Sequence, residues 1–208
     1  MAPKSKTPTA AVGKTPTAGP TADVVYTRPQ AFIALCRTSD PECVVSRLVV
    51  ELAVDILPRT CENFKQLCAG VMVGDKKSQR TSSYKGSRFL RLTAEGLQGG
   101  DALKQDDGKG QESIYGPTFE DEVLGVIPHR FGTLSMCNSG PNTNGCQFFF
   151  CVAQNGAPFL DTKYVSFGRV VDGLDVLASL VTELKPLSDD QGRISNSDLR
   201  IHSCGMVA

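Results

Sequence analysis

The chain has 208 residues, with Lys+Arg 22 balancing Asp+Glu 22 and a hydrophobic share of 40%. That length holds one domain with a sizeable core plus a tail, and zero net charge argues against a nucleic-acid or anionic-membrane partner. No apolar run approaches the roughly 20 residues that span a bilayer, and the N-terminus lacks the apolar core of a secretory signal, so a soluble cytoplasmic protein is expected.

Residues 1–22 hold no acidic residue and repeat Lys6-Thr7-Pro8-Thr9-Ala10 as Lys14-Thr15-Pro16-Thr17-Ala18. Such a segment cannot bury enough apolar area to offset its ordering entropy. The expected organisation is a disordered arm over 1–22 and a folded domain over 23–208. Thr7-Pro8 and Thr15-Pro16 have the form of proline-directed phosphorylation sites, so a docking or regulatory tail is the alternative reading.

Ala31 to Cys36 and Val44 to Val54 are β-branched and apolar, and Thr38-Ser39-Asp40-Pro41 between them has turn chemistry, which predicts a hairpin. A helix is predicted from Pro58, which suits a first turn, to Ala69, with Gly70 as its stop. Leu57, Cys61, Phe64 and Cys68 form its core face. Val71 to Ser83 reads as a polar loop with a basic run over Lys76–Arg80. Short strands follow at Arg88–Leu92, Leu97–Gly99, Gly132–Met136, Gln147–Val152, Tyr164–Val171 and Leu199–Ser203. A second helix fits Leu174–Leu184, with Leu174, Leu177, Val181 and Leu184 on one side. Many short strands separated by turn signals predict a mostly β sandwich or barrel.

The 8 cysteines include no C-x-x-C pair, and His129 and His202 are the only histidines that could join them in a metal site. No metal and no cofactor are expected, and the cysteines read as free thiols or small buried hydrophobes.

Leu134 to Val152 carries the most information. Strand-like runs flank Asn138-Ser139-Gly140-Pro141-Asn142-Thr143-Asn144-Gly145, a stretch of nearly pure turn chemistry. By composition it reads equally well as an exposed hairpin loop. Residue for residue, however, it resembles the cyclophilin signature S-M-A-N-x-G-P-N-T-N-G-S-Q-F-F-I. Pro58-Arg59-Thr60-Cys61-Glu62-Asn63-Phe64 is similar to the family's P-K-T-A-E-N-F. Tyr84-Lys85-Gly86-Ser87, Gln98-Gly99-Gly100-Asp101, Ser113-Ile114-Tyr115-Gly116, Phe119-Glu120-Asp121-Glu122 and Val165-Ser166-Phe167-Gly168-Arg169-Val170 resemble further family motifs in the family's order. The resemblance covers residues 30 to 206. It implies a closed eight-stranded antiparallel barrel capped by two helices, acting as a monomeric peptidyl-prolyl cis–trans isomerase and folding helper.

By that resemblance Arg91 is the catalytic donor to the prolyl nitrogen. Gln98 holds the substrate backbone, Phe149 floors the proline pocket and Leu160 lines it. Asn138 pairs with the bound peptide beside the small residue Cys137. Gln147, Phe159 and Tyr164 complete the substrate-binding set, and Gly108 falls in a gatekeeper loop. The implied partners are proline-containing peptides or proteins and, weakly, cyclosporin. Alternation places Phe148 and Phe150 on the face opposite Phe149.

Departures cluster at the site. The interval Leu92-Thr93-Ala94-Glu95-Gly96-Leu97 is one residue shorter than the family pattern, and Glu95 and Gly96 stand at its Phe and Met positions. They remove apolar wall and are expected to set a carboxylate beside Arg91. Leu90 replaces a histidine, Tyr164 another, and Phe159 the Trp that contacts cyclosporin. Two functional classes follow: an isomerase of reduced turnover, and a non-catalytic domain that binds Pro-containing segments or serves as a complex subunit.

Overall fold

A computed structural model describes residues 27–74, 79–104, 110–195 and 197–208. The arm, Gly108 and most of the Lys76–Arg80 run lie outside these residues. Strands β1 (Gln30–Arg37) and β2 (Asp40–Leu52) form the expected hairpin, with β2 starting earlier because Arg37 pairs with Asp40 across a two-residue turn. Helix α1 spans Pro58–Ala69 and α2 spans Leu174–Leu184, both as the sequence predicts. On α2 the buried stripe is Leu177, Leu180 and Leu184, whereas Leu174, at the start of the first turn, is exposed.

The segment after α1 is not simply a polar loop. It contains the hairpin β3 (Val71–Val73) and β4 (Arg80–Ser82), too short to show a period of two. The remaining strands are β5 (Arg91–Leu92), β6 (Gly96–Gly99), β7 (Thr133–Met136), β8 (Phe148–Cys151), β9 (Ser166–Asp172) and β10 (Leu199–Met206). Eight of the strands form one antiparallel sheet in the order β10-β1-β2-β9-β7-β8-β6-β5. Strands β5 and β10 are the two ends of that order. The predicted strand over Arg88–Leu92 is reduced to β5, although Leu90 N–H still donates to the Gln98 carbonyl on β6 at 2.8 Å. Gly86 N–H donates to the Ile201 carbonyl at 2.7 Å, and Ile201 N–H to the Ser87 carbonyl at 2.8 Å.

Register sorts the side chains into rows. Leu92, Leu97, Phe150 and Leu134 are opposite one another across β5, β6, β8 and β7. All four are buried in the main core, and Phe148 and Phe150 pack edge-on in it at 5.7 Å between ring centroids. The adjacent row is Arg91, Gln98, Phe149 and Ser135. Because strand side chains alternate between faces, this row points away from the core.

The motif residues hold loops to this frame. Glu122 caps α1 from a distance: its carboxylate accepts from the backbone N–H groups of Arg59 and Thr60 at 3.0 and 2.7 Å and from the Thr60 hydroxyl at 2.6 Å. A carboxylate there also faces the positive end of the helix dipole. Buried Asn63 donates to the Gly145 carbonyl and accepts from Ile114 N–H, both at 3.0 Å. Tyr84, also buried, donates to the Cys146 carbonyl at 2.6 Å. The Asn138–Gly145 turn is pinned by Asp121, which accepts from Asn142 N–H at 2.9 Å and from the Asn144 side chain at 2.7 Å.

Candidate active site

The outward row opens into a cleft of about 360 Å³ lined by Arg91, Gln98, Cys137, Asn138, Phe149, Leu160 and Tyr164, together with the turn residues Thr93, Glu95 and Gly96. Of the residues singled out from sequence, Phe159 and Gln147 are not part of the lining. Phe159 is 56% exposed, with Lys163 Nζ 5.9 Å from its ring centroid. Gln147 is buried beneath Gln98: Gln98 Nε2 donates to Gln147 Oε1 at 2.7 Å, and Gln147 Nε2 donates to the Gly110 carbonyl at 2.8 Å. That relay fixes the orientation of the Gln98 amide.

Arg91 is exposed, yet its Nε–H donates to the Gln191 carbonyl at 3.0 Å. With Nε engaged, the terminal nitrogens of the guanidinium are its remaining donors. Across the row the floor is apolar: Phe149 and Leu160 form a small buried cluster with Cys151 and Ala157, and Tyr164 packs against it. Tyr164 meets the Phe149 ring edge-on at 5.3 Å between centroids. Burial pushes the Cys137 thiol well up, reinforced by Cys146, while Arg91 pulls the other way. The thiol therefore stays protonated at neutral pH.

The Glu95–Gly96 departure has a geometric outcome that differs from the expectation. Ala94 and Glu95 form the tight β5–β6 turn, closed by Thr93 N–H donating to the Gly96 carbonyl at 2.9 Å. Glu95 lines the cleft, but among the described residues it makes no ion pair with Arg91, whose anchor is Gln191. At Gly96 a Cβ would stand 3.0 Å from Phe149 Cδ2, so the Phe149 ring occupies space that any side chain at 96 would need. The missing wall is partly taken up by the floor.

Sequence reasoning missed what lies under Phe149. The buried His129 ring stacks on it at 5.8 Å between centroids and 11° between planes. His129 Nδ1 lies 2.6 Å from Asp161 Oδ1, and Nε2 lies 2.9 Å from the Ser135 hydroxyl. Asp161 can only accept, so Nδ1 carries the proton; in the neutral ring Nε2 then accepts from Ser135. Burial draws the His129 pKa below its ordinary value, with Asp161 opposing. Desolvation would raise the Asp161 carboxyl, but hydrogen bonds from His129 hold it below the usual range. Gln111 and Ser139, also in the lining, were likewise missed. They are polar loop residues with no periodic signal, joined by a 3.0 Å bond from Gln111 Nε2 to Ser139 Oγ.

Residues 36–206 match the family described as cyclophilin type peptidyl-prolyl cis-trans isomerase/CLD. The chain belongs to that family. It is 40% identical over 163 residues to the human "Probable inactive peptidyl-prolyl cis-trans isomerase-like 6", a match covering 77% of this chain and 49% of the relative. It is 47% identical over 135 residues to "Peptidyl-prolyl cis-trans isomerase H" of Mycosarcoma maydis, covering 64% of this chain and 83% of that one. The chain thus spans about half the length of some curated relatives. Among solved structures, a cyclophilin type isomerase of Cryptosporidium parvum matches with a TM-score of 0.68 and 30% identity, over 88% of this chain and 99% of that one.

Proposed function

We propose that this domain is a peptidyl-prolyl cis–trans isomerase that takes proline-containing segments into the cleft, with turnover lowered by its Glu95–Gly96 turn. One observation carries the reading: Arg91 and Gln98 stand opposite each other in the row that continues to the apolar floor of Phe149. A proline ring fits such a floor, and a guanidinium fits the atom that changes during rotation. As the amide twists, the prolyl nitrogen loses resonance and gains a lone pair that accepts a hydrogen bond. The uncatalysed barrier is about 18–20 kcal/mol, and donation to that lone pair stabilises the twisted state more than either planar one. No nucleophile or proton transfer is needed.

In this reading Arg91 is catalytic, Gln98 and Asn138 hold the peptide backbone, and Phe149, Leu160, Tyr164 and Cys137 shape the proline pocket. Gln147 acts by positioning Gln98. A monomeric cytoplasmic folding helper is the corresponding cellular role, with cyclosporin a weak ligand. We also take the sheet to close into a barrel, a reading supported by the bonds from Gly86 and Ser87 to Ile201.

The second reading, a non-catalytic module that grips Pro-containing segments, is favoured by the turn itself, since Gly96 offers the pocket no side chain. The name of the human relative agrees with it. Exchange spectroscopy on an Ala-Pro peptide decides between them. Faster exchange in the presence of the protein supports the isomerase; binding without faster exchange leaves the module.

A further inference from the structure

Pro3, Pro8, Pro16 and Pro20 precede Thr27, where the described residues begin, and two of them sit in the repeats Lys6–Ala10 and Lys14–Ala18. The chain enters the fold close to the candidate active site. The Pro29 carbonyl accepts from Leu52 N–H at 2.9 Å, Leu52 stands opposite Gly168, Gly168 opposite Leu134, and Leu134 opposite Phe150. Four steps of about 4.7–4.9 Å put Pro29 within roughly 20 Å of β8, the strand that carries the Phe149 floor. The roughly 12 residues between Pro16 and Pro29 reach about 40 Å when extended, and a coil of that length spans about 17–21 Å on average. Thr15-Pro16 therefore reaches the cleft, and Thr7-Pro8 has further length to spare. The cleft does not end at Arg91 either. A second cavity, of about 600 Å³, shares Arg91 and Thr93 with it and continues to Val152, Val181, Lys185 and Asp190. A segment seated on the Phe149 floor can thus run on past the guanidinium. Among the described residues neither Glu95 nor Asp190 makes an ion pair, whereas Asp189 is held by Arg193 at 2.9 Å; Arg91 and Lys185 are the cations of the same walls. The repeats bring Lys6 and Lys14, each two residues before a proline, and no carboxylate.

We propose that the Thr-Pro repeats of the N-terminal arm are an intramolecular ligand of the cleft and compete there with outside substrates. The inference rests on the cleft taking proline-containing segments. It needs no high affinity. A tether whose average span matches the gap holds its ligand at an effective concentration on the order of millimolar. A segment whose own dissociation constant is also near millimolar then fills about half of the clefts, and an outside peptide binds about twofold more weakly for it. With Pro16 on the Phe149 floor, Lys14 lies within a side chain's reach of Glu95, a carboxylate of the same cleft.

The test compares the full chain, isotope-labelled for amide NMR, with the full chain carrying Pro8→Ala and Pro16→Ala together. The amide signals of Gln98, Asn138 and Phe149 should differ between the two, and by the same amount after tenfold dilution. An Ala-Pro peptide, titrated into each, should bind the substituted chain at least about twofold more tightly. Superimposable cleft signals, or equal peptide affinities, would overturn the proposal while leaving the proposed function standing, because the peptide still binds. Signal differences that fade on dilution would place the arm in another molecule's cleft and overturn it as well. An Ala-Pro peptide that binds neither chain would remove the proposed function and this inference with it.

Discussion

Arg91→Ala tests the catalytic reading most directly, because the site separates the donor from the rest of the pocket. Among the described residues the guanidinium is held by one bond, Nε–H to the Gln191 carbonyl at 3.0 Å, and its side chain is exposed. Removing it leaves the Gln98–Gln147–Gly110 relay and the Phe149 floor intact. Peptide affinity should therefore fall only a few-fold, while the rate of exchange on an Ala-Pro peptide should fall much further. Loss of one preorganised donor costs about 10²–10³ in enclosed sites; this one is open to water, which places the expected loss at the lower end, at least about tenfold. Arg91→Lys should recover little, since a lysine keeps the charge but lacks the Nε–H that anchors the planar group. Exchange spectroscopy at matched site occupancy, with affinity measured by titration, reads both quantities. Turnover in Arg91→Ala within twofold of wild type, in a protein of unchanged Tm, would refute the catalytic assignment and leave the binding module.

Four further outcomes are expected. Gly96→Ala should not improve the pocket: its Cβ meets Phe149 Cδ2 at 3.0 Å, and the ring is held between His129 and Tyr164. A stability loss of about 1 kcal/mol with weaker peptide binding is expected, and an unchanged melting curve with unchanged affinity would show that the ring slides freely. His129 binds a proton less readily in the folded than in the unfolded chain, so its contribution is complete above the unfolded pKa of about 6.5 and is lost as pH falls from there through the depressed folded value. Urea denaturation between pH 8 and 5 should show that decline in wild type and a flatter profile in His129→Gln. Glu122→Ala removes three bonds at the start of α1 and should cost about 1–3 kcal/mol, seen as a lower Tm with peptide affinity retained. Cyclosporin should bind more weakly than nanomolar in calorimetry, because Phe159 has no N–H to donate and stands outside the cleft lining.

Local chemistry made the frame legible and tertiary contact made the rest invisible. Pro58 and Gly70 bracket α1, and the alternation in Phe148-Phe149-Phe150 sorts core from site. The β3–β4 hairpin has no such signature, since three residues per strand define no period. The pair His129 and Asp161 meets across 32 residues, and nothing near either residue announces the other. Glu95 illustrates a related limit. Its alignment with the family pattern suggests a carboxylate beside Arg91, but among the described residues the two make no ion pair, the guanidinium being anchored on Gln191.

The motifs that reveal the family mostly serve the scaffold. Asn63 ties α1 to the chain at Gly145 and Ile114, Tyr84 ties its loop to Cys146, Asp121 clamps the Asn142–Asn144 turn, and Glu122 caps α1. None of these residues lines the cleft. A chain can therefore keep every one of them, and with them the fold, while its turnover changes freely. The residues that would set turnover are fewer: Arg91 with its anchor, Gln98 with its relay, the Phe149 floor and the β5–β6 turn beside them. Only the turn departs from the family pattern among these, and it does so without disturbing the register that faces Arg91 to Gln98. Retained register argues for a working donor, and the lack of a side chain at Gly96 argues for a looser grip on the proline ring. Reduced turnover with Arg91 still essential would satisfy both, whereas in an inert module the guanidinium would serve peptide binding alone.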